Sequence, residues 1–192
     1  MYAFLLSTAV IFVAELGDKS QLMAMTFATR YRVRDVLIGI TAATALVHLA
    51  SVGIGYWVGD AFAESQDTIA IIAGVAFLAF AAWTLRGDEL TEAEANKAKS
   101  ATGAAILAVG VAFFLAELGD KTMLATITLA THEGWLGTWI GSTVGMVAAD
   151  ALAIAAGALL GRQLPEKAIT YGAAAAFAVF GLLLVWQGWT AL

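Results

Sequence analysis

Polar positions in this chain are confined to short clusters, and the stretches between them are apolar. Six such stretches stand out: Tyr2–Thr29, Val36–Val58, Thr68–Leu85, Thr102–Thr131, Trp135–Leu160 and Ala168–Trp189. A bilayer core of roughly 30 Å needs about 20 apolar residues as helix, so each stretch predicts one crossing. The first and fourth are long for a straight crossing. At about 1.5 Å per residue, the first reaches roughly 42 Å. Each carries Gly17 or Gly119 near its middle. A tilted helix, or one interrupted at the glycine, fits that length.

The fourth stretch repeats the first. Aligning residues 12–29 with 114–131 gives 11 identical pairs in 18, among them Glu15–Lys19 with Glu117–Lys121. The same offset of 102 pairs Gly39 with Gly141, Thr41 with Thr143, Gly55 with Gly157 and Gly59 with Gly161. A two-residue slip pairs Phe77 and Phe80 with Phe177 and Phe180. Each half therefore holds three crossings, and the second enters the membrane from the opposite side. The fold expected is an all-α polytopic membrane protein of six helices in two inverted three-helix repeats, residues 1–85 and 102–192, joined by a polar linker, 86–101. In that linker Thr91-x-x-Glu94 has the spacing of a helix start. Inverted repeats are common in secondary transporters, whose ion sites lie near midplane in discontinuous helices. Duplication for folding alone does not explain acids kept inside the membrane.

Composition agrees. The chain is 61% hydrophobic and 13% charged, with mean hydropathy +0.84, against about 25% charged for soluble domains. There is no cysteine, so no disulfide, thiolate metal site or cysteine nucleophile. The start lacks the basic region of a cleavable signal. The net charge of −5 says less than its placement. Eight of the ten basic residues (Arg30, Arg32, Arg34, Arg86, Lys97, Lys99, Arg162 and Lys167) fall in loops on one side. The positive-inside rule makes that side cytoplasmic, with loops 30–35, 86–101 and 161–167 inside and both termini outside. Aromatic residues near the span ends, such as Trp57, Trp83 and Trp189, suit the interfacial belts.

Five acids do not fit in loops: Glu15, Asp18, Glu117, Asp120 and Asp150. A central Asp or Lys costs about 2.5–3.5 kcal/mol on insertion scales, so these groups must face a polar interior and pair. In a continuous helix Glu15 and Asp18 share a face, as do Glu15 and Lys19. Inverted symmetry brings the two motifs together as one site of four carboxylates. Gly17 and Gly119 can admit close backbone approach or free carbonyls as ligands. Ser20, Thr122, Thr26 and Thr128 add hydroxyls. An oxygen ligand set suits Ca2+, Mg2+ or Mn2+ better than zinc or copper. Without the metal, four buried acids cannot all stay ionised, so some bind protons. Cation and proton then compete for one site, the minimum for antiport.

Four acids with Lys19 and Lys121 give a formal −2, which one divalent cation neutralises. Each lysine is expected to pair with an acid, Lys19 with Glu15 or Asp18 of its own half; a snorkelling lysine is the bland alternative. Asp150 and His48 share the 102-residue offset. Asp150 is a candidate proton relay or extra ligand, and His48 a weaker one, since a lone buried histidine is more often a packing residue. Gln21 and Met123 occupy equivalent positions just past the motifs, and a thioether there favours Mn2+.

The doubled E-L-G-D-K-[ST] motif, residues 15–20 and 117–122, resembles the Gdt-type cation exchanger family, whose pattern is E-x-G-D-[KR]-[ST]. The resemblance covers nearly the whole chain. It implies exchange of Mn2+ and/or Ca2+ against protons at the motif acids. The short chain looks more like the bacterial manganese exporters of that family than its Golgi members, which places it in a bacterial cell membrane. The alternatives are a Ca2+/H+ exchanger with little Mn2+ role, an exporter of a small organic cation or amino acid, and a passive channel. An enzyme is least expected: no metalloprotease-type histidine motif and no serine–histidine pairing appears. No cofactor and no nucleic-acid partner are expected beyond the transported cation, protons and the bilayer.

Overall fold

The computed structural model describes residues 1–86, 104–160 and 166–191. The linker with its Thr91-x-x-Glu94 helix start, together with Lys97, Lys99 and Arg162, lies outside them.

Every regular element among the described residues is helical. In chain order they are α1 (Tyr2–Glu15), α2 (Lys19–Ala28), α3 (Val33–Ala61), α4 (Gln66–Thr84), α5 (Ala105–Glu117), α6 (Lys121–Ala130), α7 (Trp135–Leu160) and α8 (Glu166–Ala191), with a short 3₁₀ turn at Ala63–Ser65 before α4. Four helical segments are long and apolar enough to cross a membrane alone: Val33–Ala61, Asp67–Thr84, Trp135–Ala158 and Thr170–Ala191. With 14 residues, α1 reaches about 21 Å, short of a bilayer core.

The first and fourth apolar stretches are interrupted, not merely tilted. Leu16 is extended (φ −61°, ψ 121°) and Gly17 sits at φ 78°; Leu118 (φ −65°, ψ 114°) and Gly119 (φ 80°) repeat this. Asp18 N–H donates to Glu15 O at 3.0 Å, and Asp120 N–H to Glu117 O at 3.2 Å. These are the dihedrals and bond of a type II turn, whose third residue needs positive φ and hence glycine. A Cβ on Gly119 would meet nothing within 4 Å, so conformation alone, and not the close approach expected from sequence, requires glycine there. The next helix starts on an aspartate cap. Asp18 Oδ2 accepts from Ser20 N–H at 3.3 Å, and Asp120 Oδ2 from Thr122 N–H at 3.5 Å.

The halves pack by exchange. Helix α1 lies on α7 as α5 lies on α3, α2 meets α7 as α6 meets α3, and α4 pairs with α8. Glycines set the close crossings. A Cβ on Gly39 would stand 2.8 Å from Ile106 O, and one on its repeat mate Gly141 would run into Phe4, the mate of Ile106. Gly74 and Gly181 face each other's carbonyls in the same way, at 2.6 and 2.7 Å. Around them Phe77 packs on Phe177 and Phe180 with ring centroids 5.8 and 4.8 Å apart. Residues paired by the two-residue slip are thus in physical contact. Neither half has a core of its own. One cluster joins Phe27 and Ile40 to Phe113, and the other joins Ile11 and Phe77 to Leu129 and Phe177.

Candidate functional site: two broken helices and their charges

Each motif residue has a job fixed by the break. Glu15 ends α1 and Glu117 ends α5. Asp18 and Asp120 cap the helices that follow. The hydroxyl two residues past each cap turns back: Ser20 Oγ donates to Glu15 Oε1, and Thr122 Oγ1 to Glu117 Oε2 at 3.0 Å. Because the helix stops at the glutamate, the i,i+3 and i,i+4 faces expected from sequence do not apply across the motif. A turn and a cap now hold the glutamate and aspartate near one another.

The lysines cross over. Lys121 pairs with Asp18 Oδ1, both side chains 4% exposed or less. Lys19 pairs with Asp120 Oδ1 at 3.5 Å, with Lys19 19% exposed. The oxygen not used as a cap receives the other motif's lysine in both cases. Spacing within one motif points to same-half partners; these contacts run between halves, because packing sets the motifs side by side.

All four motif carboxylates are buried, as is Asp150. Asp18, Glu117, Asp150 and Lys121 lie close enough to act on Glu15 electrostatically, and Asp120, Asp18 and Asp150 act on Glu117. One charged cluster therefore spans both motifs and α7. It is not a closed cage: among the described residues no three His, Asp or Glu side chains converge tightly enough to hold a metal ion as they stand. The lysines hold the two aspartates. Glu15 Oε2, Glu117 Oε1 and both oxygens of Asp150 are buried without a hydrogen-bond partner. Buried oxygens of that kind are costly unless something binds them. They are what remains for a cation or a proton to occupy.

The other sequence candidates sort by contact. Thr26 and Thr128 donate to Leu22 O and Leu124 O at 2.8 Å, so their hydroxyls serve their own helices. Gln21 Oε1 accepts from Gly17 N–H at 2.8 Å, and its Nε2 donates to Ala149 O at 2.9 Å. Met123 Sδ accepts from Gly119 N–H at 3.1 Å. Both side chains brace the turns. His48 is buried with neither ring nitrogen hydrogen-bonded. A contact with no forerunner among the sequence candidates joins Thr44 Oγ1 to Met146 Sδ at 3.4 Å. These two are also 102 apart, so the offset itself could have marked where α3 and α7 cross.

The profile of the divalent cation/proton antiporter family GDT1 matches residues 3–92 and 105–192. The chain belongs to the GDT1 family. GDT1 proteins are transporters, not enzymes, and they exchange divalent cations against protons. A Vibrio cholerae protein named "Putative manganese exporter" is 33% identical over 186 residues, covering 95% of this chain and 90% of that protein. The Arabidopsis thaliana chloroplast protein PAM71 is 35% identical over 208 residues, and the PAM71 homologue 32% over 206. They cover 95% and 92% of this chain, which spans little more than half of each plant protein (55% and 57%). No solved structure matches.

Proposed function

We propose that this GDT1 protein exports Mn2+, with Ca2+ as a second cargo, in exchange for protons across a bacterial cell membrane. The reading takes α1 with α2, and α5 with α6, as single broken crossings, giving six spans in two inverted repeats, 1–85 and 102–192. The positive-inside rule then puts the arginine-bearing loops in the cytoplasm and the termini outside. The crossed lysines support the reading most directly. Each aspartate that a cation needs is held by the ammonium group of the opposite motif, so a cation competes with both lysines and draws both halves together. The four motif acids and two lysines leave a formal −2, which either one divalent cation or two protons cancels, and the buried Asp150 adds one further acid to the cluster. The N-termini of α2 and α6 and the C-termini of α1 and α5 meet at this cluster, the arrangement of discontinuous-helix transporters.

The choice of Mn2+ rests on the Vibrio relative's name. It does not rest on Met123, whose sulfur is engaged by Gly119 N–H. The oxygen donors suit Ca2+ equally well, which is why that cargo is retained. The test is cation uptake into sealed proteoliposomes. Mn2+ uptake should require an opposing pH gradient and disappear in Glu15→Gln and Glu117→Gln. Flux independent of the gradient means a channel. Absence of both Mn2+ and Ca2+ flux means an organic substrate.

A further inference from the structure

The two hinges are not equivalent, and the difference lies in one pair of side chains. Gln21 is buried and bonds at both ends, to Gly17 N–H of the first turn and to Ala149 O on α7. One amide orientation satisfies both partners, since the turn offers a donor and α7 an acceptor. Gln21 thereby bolts the first turn to α7, one residue from Asp150. At the repeat-equivalent position Met123 offers Gly119 N–H a thioether, a weak acceptor, and has no proton to donate.

The carbonyl at the far end shows the same exchange of roles. Val47 on α3 is the repeat mate of Ala149. Its carbonyl accepts at 2.7 Å from Ser51 Oγ of its own helix. The mate of Ser51 is Ala153, which has no hydroxyl. So the same repeat carbonyl is reached by the hinge in one half and by its own helix in the other. Exposure follows the same division. Leu118 (49% exposed) and Gly119 lie open, whereas Leu16 and Gly17 are partly covered.

We infer that Gln21 is a positioning residue that fixes the first motif to α7, and that the second motif, unbolted at Met123, is the half whose turn opens and closes during transport. The role rests on the transport reading above; the asymmetry does not. Two parallel readouts separate them.

The first is hydrogen exchange on the full-length protein in lipid nanodiscs, compared within one segment across variants so that lipid cover cancels. An ordinary hydrogen bond shifts a local opening equilibrium by roughly tenfold. Gln21→Met should raise exchange at residues 16–18 by about that factor and leave 118–120 unchanged. Met123→Gln combined with Ser51→Ala, which frees the Val47 carbonyl, should slow exchange at 118–120 by a similar factor. The second readout is Mn2+ flux: the same double variant should lose several-fold in maximal turnover while KM stays within twofold. Unchanged exchange at 16–18 in Gln21→Met overturns the bolt. If that variant does not fold, unslowed exchange at 118–120 in the double variant overturns it instead. Slowed exchange with full turnover overturns the mobile-half assignment. Absence of both Mn2+ and Ca2+ flux in the wild type defeats the cation-transport reading and leaves the exchange result to decide the asymmetry alone.

Discussion

The two lysines look alike in sequence, yet removing Lys121 should cost more than removing Lys19. Lys121 and Asp18 are both buried, at 4% and 0% exposure. Breaking a buried ion pair from one side costs about 3–5 kcal/mol, because the remaining charge stays buried without its partner. Lys19 is 19% exposed and stands 3.5 Å from Asp120. Asp120 is itself only 4% exposed, so its charge would also be left buried. The partial exposure of Lys19 and the longer contact place the loss between the surface and buried values, at about 2 kcal/mol. Lys→Met is the suitable change, since it keeps the aliphatic stem and removes the ammonium. Lys121→Met should therefore cost about 4 kcal/mol and Lys19→Met about 2 kcal/mol, read from reversible denaturant unfolding in mixed micelles. A double-mutant cycle isolates the pair. Asp18→Asn keeps an N-cap oxygen for Ser20 N–H while removing the charge. Lys121→Met with Asp18→Asn should be more stable than the lysine variant alone, by about 2 kcal/mol. Equal losses for the two lysines, or a double variant no better than Lys121→Met, would falsify the claim that the buried cross-pair sets the larger loss.

Three further outcomes follow from local geometry. Gly17→Ala and Gly119→Ala each put a Cβ at φ near 80° and should lose about 1–2 kcal/mol, with Gly119→Asn losing less because asparagine tolerates that region; unfolding in micelles reads both. Gly39→Ala places its Cβ 2.8 Å from a backbone oxygen and 2.9 Å from Val109 and should cost about 1–3 kcal/mol as overpacking, whereas Gly53, with nothing within 4 Å, should gain up to about 1 kcal/mol as alanine. His132, in the connection after α6, is lowered from its ordinary 6.5 by burial, partly offset by a backbone hydrogen bond to Ile69. The folded state thus favours the neutral ring, so stability is full above 6.5 and declines as pH falls; His132→Gln should flatten that decline in unfolding midpoints taken across pH.

Much of this was legible because the chain is written twice. The offset of 102 identified the motifs, the glycine contacts at Gly39 and Gly141, and, with a slip, the Phe77–Phe177 contact. The break itself was half legible. A glycine followed by an aspartate and then a serine or threonine two residues on is a turn and helix cap in miniature, but the apolar run continues on both sides and reads as one helix. That each lysine pairs with an acid was legible, but which acid was not. Local spacing offers Lys19 the acids of its own motif, and only the packing of the two broken helices against one another brings Asp120 to it. Identity between repeats therefore reports what the two halves share: turns, caps, hydroxyls and close crossings. It cannot report which half moves, because two identical halves would be interchangeable. That information must reside where the repeat fails, and in this chain Gln21 against Met123, Ser51 against Ala153 and His48 against Asp150 are non-identical pairs gathered at the hinges and the helices that cover them.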